Sequence, residues 1–250
     1  MAGHSKFKNI MHRKGAQDKK RAKVFTKILR EITVAVAGGI TEPQFNPRLR
    51  LAILSAKEAN LPKDKVEAAI KKASFPTDSG NYEEIRYEGY GVAGIAFIVE
   101  TLSDNRNRTA SEVRSTFTKF GGSLGETGSV SYMFQRMGLI IYPSSIKDAE
   151  EILELAIEAG AEDCQLIGEE HEIYCSLEEL HTVKDYLEAK IGEAKSAKLI
   201  WKPNITTSLD HETINIKKVL KLIDALEDLD DVQNVWTNLE IPEDFEDDDN

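Results

Sequence analysis

The sequence predicts a mixed α/β (α+β) protein, with an N-terminal three-helix domain followed by two ferredoxin-like-type α/β sandwich domains, one inserted in the other. Three observations lead there. Apolar residues recur at helical spacing to about residue 75, and Gly-Gly and Pro punctuation divides them into three helices. Residues 139–201 carry the complete order βαββαβ, the split unit of the ferredoxin-like fold. The stretch before them reads ββαβ, and the stretch after Pro203 supplies the αβ that it lacks.

Residues 1–15 are polar, contain Gly3 and Gly15 and show no helical period, which predicts a flexible arm. From Gln17 onward, Val24, Phe25, Ile28, Leu29, Ile32 and Val36 form one apolar stripe, stopped by Gly38-Gly39. Pro47 opens a second helix with Leu51, Ile53 and Leu54 inward, and Pro62 a third with Val66, Ala69, Ile70 and Ala73. Phe75 to Asn81 reads as a linker. Strands are expected at 85–90 and 95–102, a helix from Asn105 to Phe120 and a strand at 129–134. In the insert, a strand at 139–142 leads to a helix with Ile146, Ile152, Leu153, Ala156 and Ile157 on one face. A hairpin of 163–167 and 172–175, a helix at 177–189 and a strand at 197–201 complete it. A turn at Glu169-Glu170 would place Cys164 opposite Cys175. The final helix carries Ile216, Val219, Leu220, Ile223 and Leu226, and the final strand covers 232–237. The expected domains are therefore 1–81 (basic arm plus three helices), 82–134 with 205–241 (discontinuous host), 135–204 (insert) and 242–250, a disordered acidic tail.

Charge is distributed very unevenly. The 250 residues carry a net charge of −11, which alone argues against nucleic acid. Residues 1–30, however, hold ten Lys or Arg against the single acid Asp18: Lys6, Lys8, Arg13, Lys14, Lys19, Lys20, Arg21, Lys23, Lys27 and Arg30. Residues 224–250 hold twelve acids and no Lys or Arg. A phosphate backbone responds to the local patch rather than to the total, so the basic segment is the candidate contact surface. Phe7, the only aromatic in the arm, is either a stacking residue or a packing anchor.

Three further motifs each carry a structural and a functional reading. Gly89-Tyr90-Gly91-Val92-Ala93-Gly94 has the G-x-G-x-x-G spacing, but a strand follows it where a dinucleotide site needs a helix N-terminus. It reads as a hairpin turn. Gly121 to Gly128 lacks the Gly-Lys-Ser/Thr ending of a P-loop and reads as a helix C-cap plus loop, with backbone N–H groups approaching a phosphate as the alternative. Arg106 and Arg108 fall in the first turn of a helix, where cations oppose the dipole. They are either part of an anion site or arginines leaning on acids such as Glu112. No Ser-His-Asp, paired-carboxylate or metal-ligand pattern stands out, so neither catalysis, metal, cofactor nor small-molecule substrate is expected. The absence of an 18-residue apolar run or a signal-type h-region, together with two thiols, predicts a cytoplasmic protein without a membrane partner.

Several strings resemble one family. Met1-Ala2-Gly3-His4-Ser5-Lys6, Arg13-Lys14-Gly15-Ala16-Gln17-Asp18, Phe25-Thr26-Lys27, Asn46-Pro47-Arg48-Leu49-Arg50, Tyr87-Glu88-Gly89-Tyr90-Gly91, Ser103 through Thr109 and Gly128-Ser129-Val130 are similar, in order, to those of the YebC family. The family is known for transcriptional regulators. It also includes the mitochondrial translational activator of cytochrome c oxidase subunit I, and bacterial members linked to ribosomes stalled on proline-rich sequence. The resemblance implies a three-domain α/β protein with domains much as derived above, no catalysis and no cofactor. It places contacts on the basic arm (Lys6, Arg13, Lys14) and on the Arg106/Arg108 segment. Phe7 stands where the family usually has Trp, Val92-Ala93 replaces its usual Pro-Gly, and Ala73 to Ser79 lacks its usual glycines.

The expected function is that of a nucleic-acid-binding regulatory protein, a DNA-binding transcriptional regulator, with a ribosome-associated translation factor binding RNA as the alternative. Its candidate contacts are Lys6, Lys8, Arg13, Lys14, Lys19, Lys20, Arg21, Lys23, Lys27, Arg106 and Arg108. No helix reads as a recognition helix aimed at a major groove, and no aromatic pair marks the ferredoxin-like sheet. Both absences favour recognition of backbone and shape.

Overall fold

The computed structural model describes residues 17–75, 81–209, 213–242 and 245. The chain divides into two compact units. One comprises Met1–Lys23, Asn81–Gln135 and Trp201–Asn250, and the other Val24–Gly80 and Arg136–Ile200. Helices are combined with four-stranded antiparallel sheets and one short parallel pair, a helical segment preceding the sheet-containing ones.

In the first unit, β1 (Glu83–Tyr90) and β2 (Ala96–Ser103) form an antiparallel hairpin. Helix α4 (Arg106–Lys119) follows, then the two-residue strand β3 (Ser123–Leu124). Beyond the residues of the second unit come β8 (Thr207–Ser208), α7 (Thr213–Glu227), β9 (Val232–Thr237) and β10 (Leu239–Glu240). The main sheet runs β3-β1-β2-β9, and β8 pairs with β10 separately. Strand β2 is buried along its length except at Glu100, because both sheet faces are covered. On one face Phe97 and Val99 pack against Val113 and Phe117 of α4 and Val219, Ile223 and Leu226 of α7. Phe97 meets Phe117 edge to face at 5.6 Å. On the other face Ala96 and Ile98 pack with Val130, Phe134 and Trp201.

The second unit holds α1 from Val24 onward (α1 spans Gln17–Ala37), α2 (Pro47–Glu58) and α3 (Lys63–Ala73). Their apolar stripes meet at Ile32, Val36, Leu49, Ala52, Leu61 and Val66. Asn46 joins two of them. Its Oδ1 accepts from Leu49 N at 3.0 Å, capping α2, while its Nδ2 donates to Ala35 O at 2.7 Å and Ile40 O at 2.8 Å at the end of α1. Arg48 forks onto Glu31 of α1 at 2.6 and 3.1 Å. The same unit contains most of β4 (Phe134–Pro143), α5 (Ala149–Ala159), β5 (Asp163–Ile167), β6 (Glu170–Ser176), α6 (Leu180–Ile191) and most of β7 (Ser196–Pro203). Their sheet order, β5-β6-β4-β7, is that of the ferredoxin-like fold. Leu54 of α2 is buried in this sandwich's core with Ile140, Ile152, Ile173 and Leu187.

Three local expectations are corrected. Residues 131–133 form a 3₁₀ turn rather than a strand, and Phe134 opens β4 instead. The two residues that pair with β1 in place of the expected strand lie earlier, at Ser123-Leu124. The β5–β6 hairpin turns at Gly168-Glu169, because Gly168 takes φ +60. That shifts the register so that Cys164 faces Ile173, while Cys175 pairs with Gly138 on β4. Finally, Phe245 is buried in the host core, since an aromatic ring among acids gains by leaving water. The other residues of the expected tail, apart from Pro242, lie outside the described ones.

The turn between β1 and β2 closes through Gly91 N donating to Ile95 O at 2.8 Å. It places Ala93 at φ +56, a left-handed conformation that costs a residue with a Cβ about 1–2 kcal/mol. Ala93→Gly is expected to raise the melting temperature by about 1–3 °C, net of the entropy glycine loses on folding. Asn46→Ala removes a cap and two buried donors, and is expected to cost about 1–3 kcal/mol in urea unfolding.

Candidate nucleic-acid interface

Helix α1 carries Lys19, Lys20, Arg21, Lys23, Lys27 and Arg30 on the same helix as the apolar stripe of the three-helix core. Three of them, Lys19, Lys20 and Arg21, lie within its first turn and a half. There the helix dipole is positive, so cations lower helix stability. The side chains of Lys19 and Lys20 lie outside the described residues. Arg21 is exposed, while Lys27 and Arg30 are half-buried. Lys23 is engaged, its Nζ donating to both the carbonyl and Oδ1 of Asp228 at 2.9 Å. Lys6, Lys8, Phe7, Arg13 and Lys14 lie outside the described residues.

The Ser103-to-Thr109 string surrounds a buried carboxylate instead of standing open to solvent. Asp231, just before β9, has a side chain only 3% exposed. Its Oδ2 accepts from Arg108 Nη2 at 2.6 Å, Thr109 Oγ1 at 2.6 Å and Ser103 Oγ at 2.9 Å. Arg108 also bonds Asp104 at 2.8 Å. Asn105 caps α4, its side chain accepting from Arg108 N at 3.1 Å. Arg108 is thus held by Asp231 and Asp104, not by Glu112, and these bonds raise its pKa. Burial pushes the Asp231 carboxyl up, but hydrogen bonds from Thr109, Arg108 and Ser103 and the Arg108 charge outweigh it and hold the group below the usual carboxylate range. Arg106, two residues earlier, is exposed. Asp231 was hidden in the sequence among the twelve acids of the C-terminal stretch. Only its position beside an apolar strand start, Val232, set it apart.

The glycine-rich strings form a second carboxylate site. Glu88 is 1% exposed on β1. Its Oε2 accepts from Val130 N and Ser131 N, each at 2.9 Å. Arg86 Nε lies 3.1 Å from Oε1 as an ion pair, and its guanidinium sits 5.0 Å above the Trp201 ring. Desolvation raises the Glu88 pKa, but the backbone donors Val130, Gly128 and Ser131 and the Arg86 charge prevail, so it is lowered. Tyr90 Oη donates to Ser129 O at 2.9 Å. A Cβ on Gly89 would meet Ser123 O at 2.6 Å, and one on Gly122 would meet Tyr90 O at 2.6 Å. The Tyr87–Gly91 and Gly121–Val130 strings therefore need glycine for backbone approach, and Gly121 and Gly122 close the C-terminus of α4 through bonds to Thr118 O and Phe117 O.

Residues 5–75 match the model of the TACO1/YebC protein N-terminal domain, and residues 82–239 that of the TACO1/YebC second and third domain. This chain belongs to the TACO1/YebC family. The family is a regulatory one. The crystal structure of a conserved hypothetical protein from Aquifex aeolicus, Aq1575, is similar over 91% of this chain and 93% of that one, at 49% sequence identity and a TM-score of 0.82. Among the described residues of this TACO1/YebC chain, no helix is long and apolar enough to cross a membrane, and no group of three or more His, Cys, Asp or Glu could hold a metal ion.

Arg106→Gln is expected to leave the melting temperature unchanged, whereas Arg108→Gln, which strips a buried carboxylate of its cation, lowers it by several degrees. Equal melting of the two variants would return Arg108 to the surface. The depressed carboxyls of Asp231 and Glu88 contribute stability that is fully present above their unfolded pKa, about 4. It is lost as pH falls through the lower native values. Glu88→Gln should therefore destabilise at pH 7 yet flatten the loss of stability below about pH 5, as read by urea midpoints across that range.

Proposed function

We propose that this chain is a nucleic-acid-binding regulatory protein that grips the phosphate backbone with its basic N-terminal segment and the first turns of α1. The observation that carries this reading is local charge: ten Lys or Arg against one acid in residues 1–30 of a chain whose net charge is −11. Seven of the ten are lysines, compact point charges suited to phosphates more than to the bidentate reading of base edges. The cations in the first turns of α1 lower helix stability, and phosphates against the helix start would reverse that cost. Arg106 is the member of the second pair suited to an added anion, because Arg108 already has two carboxylates.

A transcriptional regulator on duplex DNA is the first reading, in line with the regulatory character of the family. A second reading, a translation factor acting on ribosomal RNA, is favoured by the residue chemistry. Lysine-rich contacts read backbone and shape, which suits the A-form grooves of folded RNA.

The test is salt-dependent titration of the full chain against duplex DNA and a structured RNA. Replacing Lys6, Lys8, Arg13 and Lys14 with Gln is expected to weaken binding and to make the log–log salt slope on DNA shallower by about 3 to 4. Unchanged affinity and slope would sink the proposal. Crosslinking in cells, with DNA and RNA sequenced in parallel, separates the two targets.

A further inference from the structure

The second unit carries a surface that the nucleic-acid reading does not use. Residues 136–200 hold fifteen Asp or Glu and only six Lys or Arg. From Asp148 to Asp163, the stretch containing α5, there are seven acids and no Lys or Arg. A phosphate backbone is repelled from such a face. Yet the face is not simply solvated. Ile152 and Ala156 bury the inner side of α5, while Leu153 and Ile157, spaced i, i+4, stand 44% and 66% exposed.

Strand β5 continues this apolar strip. It is the edge of the sheet β5-β6-β4-β7. Cys164 packs into the core with α5, so strand alternation puts Leu166 on the same face, toward α5. Leu166 is 53% exposed. Glu150, Glu154 and Glu158 are exposed along the helix, Glu154 beside a hollow that Lys147 and Lys190 also line and Glu158 accepting from Tyr186 Oη at 2.7 Å. Three large aliphatic side chains beside one row of carboxylates make an amphipathic docking face, while scattered apolar residues would need no explanation.

We propose that the α5–β5 edge docks a basic polypeptide segment of another protein, one that presents apolar residues to Leu153, Ile157 and Leu166 and Lys or Arg to Glu150, Glu154 and Glu158. The carboxylates select the sign of the partner, and the aliphatic strip supplies contact that a purely polar polycation would not use. The same carboxylates disfavour a second copy of this face, since a two-fold contact would set like charges against each other. The face lies within one unit and stands whether or not the basic N-terminal segment binds nucleic acid.

The probe is a fluorescent synthetic helix of Leu and Lys with one apolar face, titrated into the full chain. Its control is a peptide of the same composition with the order scrambled so that no apolar face forms. The amphipathic peptide is expected to bind, and the scrambled one more weakly. Leu153→Ser with Ile157→Ser should weaken binding about tenfold or more, with melting temperature and nucleic-acid affinity unchanged. Should the serine pair lower the melting temperature, Glu150→Gln with Glu154→Gln provides the second arm, expected to weaken binding and reduce its salt dependence. Equal binding of the two peptides, or variants that bind as the parent does, would overturn the proposal. So would a self-association seen in sedimentation that the serine pair abolishes, which would assign the face to a second copy.

Discussion

The carboxylate of Asp231 holds the first unit closed. That unit is assembled from stretches of chain separated by the whole of residues 136–200, so chain connectivity alone does not bring them together. Asp231 sits just before β9, and it takes hydrogen bonds from Ser103 at the end of β2 and from Arg108 and Thr109 in α4, more than 120 residues away in sequence. A buried carboxylate is costly unless its lone pairs are satisfied, and here three donors, one of them the arginine cation, satisfy them, while Leu102 N separately donates to the Asp231 backbone carbonyl. Two other polar groups repeat the device. Glu100, the one break in the buried run of β2, accepts from both indoles, Trp201 and Trp236, and from Asn234. Asn238 accepts from Ala96 N at 2.8 Å and donates toward Ile205 and Thr207. Each ties β2 to chain that returns after the second unit, and Asn238, which is buried, would lose its partners if the return failed.

Strings that read like contact motifs are largely folding devices. Asn46 and Arg48 fasten α1 to α2, Glu88 and Tyr90 fasten β1 to the 128–131 turn, and Arg108 neutralises Asp231. The physical reason is shared. A short polar side chain that satisfies several backbone groups at once tolerates no substitute, and neither does a glycine against a neighbouring carbonyl. Arg106 and the acidic α5–β5 edge stay exposed on the described fold, and the basic run at the N-terminus is the segment proposed above to meet phosphate.

The two surfaces are of opposite sign and sit on different parts of the chain. A net charge of −11 therefore averages over a basic segment and acidic regions that would favour different chemistries. A partner composed of phosphates and basic polypeptide would offer something to each, whereas bare nucleic acid would engage only the first.

The sequence by itself determined most of the elements. Stripe spacing set α1 to α3, and the βαββαβ order set the ferredoxin-like strand arrangement, because periodicity and short connections are local properties. Charge clustering likewise marked the basic segment without any structure. Local pattern failed where long-range contact decides. The strand expected at 129–134 became a turn because Glu88 takes its backbone N–H groups, and the two-residue β3 was too short to carry a pattern. A single glycine angle at Gly168 moved the hairpin register and parted Cys164 from Cys175. Asp231 looked like one more acid of the C-terminal stretch, and Phe245 like a member of the acidic tail, until the fold buried both. Arg108 was a candidate for a phosphate until the structure placed two carboxylates against it. The Glu88 and Asp231 contacts join groups about 40 and more than 120 residues apart, and only the tertiary structure decides which groups meet over such separations.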